Sequence, residues 1–330
     1  MNIDVQALSA IEKDKGIAVS ELLSTIADAL LETYRQNYPM DESTQARVDI
    51  DTASGKVAVI LTERDEDGTV LSERDDTPAN FNRTAALAVR NAIVARLREA
   101  EANRVFDEYT RFEGTVISGV VQADARANEK GIVVVQLGTE ADGHDGILIP
   151  AEQIPGENLK HGDRVKSFVV GVSKGPRAVQ INLSRTHPEL VRKLFELEIP
   201  EVEDGAVEIV SIAREAGHRS KVAVRGTVKG LNAKGACIGP RGQRVNNIMK
   251  ALGGEKIDII DYSEDPQHYV GNALAPSKVV SVEITDLENQ IARVVVPDYQ
   301  LSLAIGREGQ NARLAARLTG WKIDIHSDAE

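Results

Sequence analysis

The sequence predicts a multidomain α+β protein, and three observations carry that reading. The first third alternates amphipathic helices with a strand hairpin. The middle is a run of short strands punctuated by glycine. The remainder repeats one six-element pattern of helix, strand, strand, helix, helix, strand.

In the first third, residues 19–36 place Leu23, Ile26, Ala27, Leu30 and Tyr34 on one helical face, with Ser20 as expected N-cap. Residues 46–51 and 56–62 alternate as strands around Ser54-Gly55, and residues 69–73 add a third strand after Asp67-Gly68. A long helix is expected from Pro78 to about Tyr109, with Ala86, Val89, Ile93, Leu97 and Ala100 inward. Arg83, Arg90 and Arg98 lie about two turns apart along it and form a basic stripe. A solvated face is the ordinary reading of such a stripe, and an RNA-guiding track is the alternative.

From Arg111 the rhythm changes. Residues 111–121, 131–137, 145–150, 164–171 and 178–184 read as five short strands, the signature of a small closed barrel such as an OB fold. Few aromatics are available there to stack bases: Phe112 and Phe168, which fit core packing better, and His144, which fits a solvated loop.

The repeat occupies the rest. The first copy has helix 187–197, strands 206–214 and 220–228, helices 233–238 and 242–252, and strand 256–261. The second has helix 266–274, strands 278–285 and 291–296, helices 298–305 and 309–319, and strand 322–326. Between the last two helices of each copy stands a Gly-x-x-Gly turn, Gly239-Pro240-Arg241-Gly242 and Gly306-Arg307-Glu308-Gly309. Such a turn opens a helix with short side chains, so phosphates can approach its peptide N–H groups, and a tandem pair suggests a binder of single-stranded RNA. Lys234, Arg241 and Arg244 surround the first turn with positive charge. Glu308 disfavours a phosphate at the second, which Arg307 and Arg313 offset; it also complements a helix dipole. Gln243, Gln310 and Asn311 can read base edges or phosphates, or serve as ordinary helix-start polarity.

Charge agrees with this only locally. The net charge is −12. Residues 1–107 carry 12 basic and 20 acidic residues, a net of −8 that suits a protein partner. Residues 214–256 carry 10 basic residues and only Glu215 and Glu255, a net of +8 around the first turn. The single cysteine, Cys237, excludes an internal disulfide framework and a multi-cysteine zinc site, and a buried small side chain is its expected role. The six histidines lack metal spacing, and no phosphate-loop motif occurs, so neither a metal site, a cofactor nor an active site is expected. The N-terminus lacks a signal-peptide pattern and no apolar run is long enough to span a bilayer, so a cytoplasmic protein without membrane attachment is expected.

The middle third, through Gly114-Thr115-Val116, Gly146-Ile147-Leu148-Ile149-Pro150, Gly162-Asp163-Arg164-Val165 and Ile181-Asn182-Leu183-Ser184-Arg185, resembles the five-stranded S1-type OB barrel. The repeats resemble type II KH domains, whose loops contact the RNA backbone while the helix–strand surface beside each cradles about four bases. The whole order resembles the NusA family of bacterial transcription factors, in its actinobacterial branch. Ser184-Arg185-Thr186-His187-Pro188, Leu197-Glu198-Ile199-Pro200-Glu201, the segment from Arg214 to Lys221, Gly235-Ala236-Cys237-Ile238-Gly239 and the segment from Gly309 to Ala315 carry that likeness. It covers the full chain, except that the additional acidic repeats of some relatives are not expected. The resemblance implies residues 1–107 as an RNA polymerase-binding domain, 108–184 as the S1-type barrel, 185–263 as a first KH domain and 264–330 as a second. It implies a non-enzymatic transcription elongation factor that binds RNA polymerase and nascent RNA, including ribosomal RNA leader antitermination sites. Other Nus factors are implied partners, and a monomer is expected. The competing readings are a ribosome-assembly factor and an RNA-processing enzyme, the latter needing a large catalytic domain that about 107 residues do not supply.

Overall fold

The computed structural model describes residues 2–41, 43–65, 67–139, 142–176 and 178–329, without the side chain of residue 84. It divides into two compact units, Met1–Asp107 and Glu108–Glu330.

In the first unit, α1 (Val5–Lys15) and α2 (Val19–Asn37) precede an antiparallel sheet of β1 (Thr44–Ile50), β2 (Val57–Arg64) and β3 (Val70–Asp75), and α3 spans Phe81–Thr110. β2 lies between its neighbours and sends Val57, Val59 and Leu61 into a core with Leu22, Leu23, Ile26, Leu30 and Tyr34 of α2. Phe81, Ala85 and Val89 of α3 close it. Three expectations are corrected. Ala86 of α3 is exposed rather than inward, while its neighbour Ala85 is buried. The N-cap of α2 is Ala18, with no side-chain hydrogen bond, rather than Ser20. Helix α1 was not foreseen: Asp4 caps it through Ala7 N, Gly16 ends it in the left-handed region, and only Leu8 is buried.

The second unit opens with a closed barrel, in order β4-β5-β6-β8-β7. Its strands are β4 (Val116–Gln122), β5 (Val133–Leu137) and β6 (His144–Leu148), then β7 (Arg164–Lys174) and β8 (Val179–Ser184), with short α4 (Ala125–Glu129) between β4 and β5. Phe168 of β7 is buried and stacks on His187 at 4.5 Å, as core packing predicts. Phe112 leans on Tyr109, ring centroids 5.9 Å apart. His144 is not in a loop: it starts β6, its ring meets Tyr109 edge-on, and its buried Nε2 lacks a hydrogen-bond partner among the described residues.

Then come α5 (Pro188–Glu198), α6 (Pro200–Glu203), β9 (Val207–Glu215), β10 (Arg219–Gly226), α7 (Ala233–Ile238), α8 (Gln243–Ala251) and β11 (Lys256–Asp261). The second copy is α9 (Pro266–Ala273), β12 (Ser281–Asp286), β13 (Ile291–Val296), α10 (Leu301–Ile305), α11 (Gln310–Thr319) and β14 (Lys322–Ser327). In each sheet the middle strand is antiparallel to the preceding strand and parallel to the last: β10 between β9 and β11, β13 between β12 and β14.

The first of these sheets is apolar on both faces. Val222, Val224 and Ile259 enter a core with α5, α7 and α8, while the alternate residues Ala213, Ala223 and Ile260 enter the core of the second copy. Strand side chains alternate faces, so a continuous apolar run signals burial on both sides. The small side chains Ala213 and Ala223 sit where α11 packs.

Candidate nucleic-acid interface

The two Gly-x-x-Gly turns adopt one backbone conformation. The first glycines, Gly239 and Gly306, have φ/ψ of 74/175 and 78/170. The third residues, Arg241 and Glu308, lie at 54/25 and 55/26, in the left-handed region. The fourth, Gly242 and Gly309, lie at 74/13 and 72/13. A left-handed conformation costs a residue with a Cβ about 1–2 kcal/mol, and the same strain is kept in both copies at side chains of opposite charge. Gly242 N and Gly309 N each donate to the first glycine's carbonyl at 3.1 Å, which closes the turn.

The first glycine answers to packing as well as to any ligand. A Cβ at Gly239 would lie 2.6 Å from the Arg244 Cγ, and one at Gly306 would lie 2.8 Å from Asn311 backbone N. The fourth position is open: a Cβ at Gly242 meets only Asn246 Nδ2 at 3.5 Å, and one at Gly309 meets nothing.

The candidate side chains divide into two sets. Pro240, Arg241, Gln243, Arg307 and Glu308 are exposed, the side chains of Arg307 and Glu308 at 94% and 85%. Lys234 is half-buried and lines a cavity of about 470 Å³ with Asp261, Gln267 and His268. The others are engaged within the fold. Arg244 donates to Glu201 Oε2 and Ala236 O, both at 2.8 Å, so its charge is answered internally. Asn311 is 1% exposed, and its amide donates to Leu274 O and Ala304 O; it fastens the loop to the core and is not presented for base reading. Gln310 and Arg313 donate to Glu215 of β9 at 2.9 and 2.6 Å. Arg313 with Gln310 and Arg317 holds the Glu215 carboxyl down, against the opposing effect of burial, from 4.5 to about 2. On α3, Arg83, Arg90 and Arg98 are exposed and make no ion pair among the described residues; exposed Leu87 and Val94 fall between them.

The basic island is partly structural. Arg214 pairs with Glu255, Arg219 and Lys221 with Asp258, Arg225 with Glu208, and Arg244 with Glu201. Lys229, Lys234, Arg241, Lys250 and Lys256 remain without an ion pair among the described residues. Sequence distance hides these pairings; Arg214 and Glu255 are 41 residues apart.

Several segments that carry the family likeness form joints between domains. Arg185 is 2% exposed and donates to Glu157 of the barrel through Nε at 2.7 Å, and to the carbonyls of Lys166 and Ala251. Arg214 donates to the carbonyls of His187 and Arg185 as well as to Glu255, which also accepts from Gly217 N and Ser220 Oγ. Lys221, fully buried, bridges Asp258 to Ala275 O. Cys237 is buried, and burial pushes its thiol up to about 12, which fits a core residue and not a nucleophile.

Among the described residues no helix is long and apolar enough to cross a membrane, and no group of three or more His, Cys, Asp or Glu could hold a metal ion.

Comparison with known proteins agrees with this architecture. Family models match residues 5–65 as a NusA N-terminal domain, 185–262 as a NusA-like first KH domain and 266–330 as a NusA-like second KH domain. The chain is 59% identical to a transcription termination/antitermination protein NusA of Mycobacterium tuberculosis, over 100% of this chain and 94% of that protein. It is 40% identical to the protein of that name from Bacillus subtilis, over 99% of this chain and 91% of the relative. For that of Thermus thermophilus the identity is 36%, over 98% and 88%.

Proposed function

The chain belongs to the NusA family of transcription termination/antitermination proteins, and from that membership we propose that it is a transcription elongation factor that binds RNA polymerase and nascent single-stranded RNA. It modulates pausing, intrinsic termination and antitermination by binding, without catalysing a reaction.

The observation that carries the RNA half is the pair of loops with one strained backbone conformation. Loops of this kind clamp the phosphate backbone of a few nucleotides, and the surface beside them receives the bases. Arg241, exposed and without an ion pair among the described residues, offers the first loop a charge for phosphate. We assign RNA contact to Lys234, Gly239, Pro240, Arg241, Gly242 and Gln243 at the first loop, and to Gly306, Arg307 and Gly309 at the second. Weak RNA sites become effective when a polymerase contact raises their local concentration at the emerging transcript.

Residues 1–107 are assigned to polymerase, 108–184 to the barrel, and 185–263 and 264–330 to the two KH domains. Arg83, Leu87, Arg90, Val94 and Arg98 form a face of α3 that alternates charge with apolar surface, which suits a protein partner at least as well as an RNA track. Ribosomal RNA leaders and other Nus factors are the further partners this reading expects, with the chain acting as a cytoplasmic monomer. The test is a pull-down of RNA polymerase with residues 1–107 and with residues 108–330. Retention by the first fragment is expected; retention by the second alone would overturn the assignment.

A further inference from the structure

The two loops differ most in what their flanking donors touch. At the first, Gln243 is exposed and its side chain has no hydrogen-bond partner among the described residues. At the second, the equivalent Gln310 and the nearby Arg313 both point to one carboxylate of the preceding KH domain. Glu215 Oε1 accepts from Arg313 Nε at 2.6 Å, and Oε2 accepts from Arg313 Nη2 at 3.1 Å and Gln310 Nε2 at 2.9 Å. Arg317 Nη1 stands 3.7 Å away. An arginine fork, an amide and a second guanidinium around two oxygens form the donor set that would take a phosphate.

This cluster opens on a cavity of about 600 Å³. Its walls are the turn Gly217-His218-Arg219, Lys256 at the start of β11, and the second loop from Gly306 to Glu308. Lys256 and Arg307 are exposed and cationic at its rim. Apart from Glu215 and Glu308, the charged residues lining it are basic. A polyanion entering it would meet donors already taken by a side chain of the protein itself.

We propose that Glu215 is an internal phosphate mimic that occupies the donors of the second loop, so that RNA engages that loop only by displacing it. This rests on the RNA-binding reading given above. The first loop is open to RNA at once, whereas the second is held in reserve. RNA anchored at the first loop supplies the high local phosphate concentration that the exchange requires. The carboxyl, held down to about 2, stays ionised at any physiological pH, so the competitor is RNA and not a proton. An arginine that trades one carboxylate for a phosphate changes partner without becoming unpaired, which keeps the exchange near balance.

The test is a titration of the full chain with a fluorescent single-stranded RNA of mixed sequence, at several salt concentrations. Glu215→Gln keeps the shape and removes the charge. It should tighten binding about fivefold or more, and steepen the dependence of log K on log salt by about 0.7, the value for one additional phosphate contact on a single strand. Adding Arg313→Gln should abolish both gains. Glu215→Asp, which keeps the charge but draws it back by a methylene, should give a smaller gain in the same direction, and it stands in if the first variant fails to fold. Folded variants that bind as the native chain does, or more weakly, with an unchanged salt slope would overturn the proposal and leave Glu215 as a strut between domains. Failure of the underlying reading would show separately, as a native chain whose affinity for the same RNA does not depend on Arg241.

Discussion

Arg241 and Glu308 occupy equivalent places, at φ 54 and 55, with opposite charges. Asn tolerates this conformation better than either, so Asn at each position separates charge from backbone. Arg241→Asn should weaken RNA binding about threefold to tenfold by loss of one phosphate contact, with no loss of thermal stability. Glu308→Asn should leave binding unchanged or slightly tighter. Both are read by RNA titration beside a thermal melt. The chemistry of these two positions was legible in the sequence, because the Gly-x-x-Gly frame aligns them. The roles of Arg244 and Asn311 were not. Both look like ligand-facing polar residues at a helix start, yet one is paired with Glu201, 43 residues away, and the other is buried against Leu274 O, 37 residues away. Spacing along a helix reports nothing of a partner that tertiary folding brings in.

Among elements, periodic segments were the readable ones. α2, α3, the barrel strands and both repeats stand close to where apolar spacing and glycine punctuation put them. α1 escaped because it buries only Leu8, although Asp4 and Gly16 are cap signals at its two ends. The joints also escaped, since their order is ionic. Arg185 is buried against Glu157, and removing one member of a buried pair leaves the other charge uncompensated. Arg185→Ala should therefore cost about 3–5 kcal/mol in denaturant unfolding of residues 108–330. A loss below about 1 kcal/mol, the range of an exposed pair, would show that this joint is dispensable. The Glu215 clamp carries a pH signature. Its carboxyl lies at about 2 in the fold against an ordinary 4.5, so its contribution is complete above about 4.5 and is lost as pH falls through about 2. The stability difference between the native chain and Glu215→Gln should be flat above that window and close within it.

At the scale of the molecule, the chain joins two units of different character. The first, with its own core, carries a net charge of −8 and displays arginines with apolar neighbours along α3. The second joins a barrel and two KH domains through shared cores and buried ions: Phe168 of the barrel packs into the first KH core, and Ala213, Ala223 and Ile260 of the first KH sheet pack into the second. Such continuity places the two loops at fixed positions within one compact unit. The proposed RNA binding runs through the twin loops, with the first as principal anchor. The direct measurement is RNA affinity of the full chain carrying Gly242→Asp or Gly309→Asp, positions where a Cβ meets no close backbone and Asp accepts the left-handed conformation. A loss of about tenfold or more is expected for Gly242→Asp and a smaller loss for Gly309→Asp, both in chains that melt cooperatively. A folded Gly242→Asp chain that binds single-stranded RNA with native affinity would contradict it.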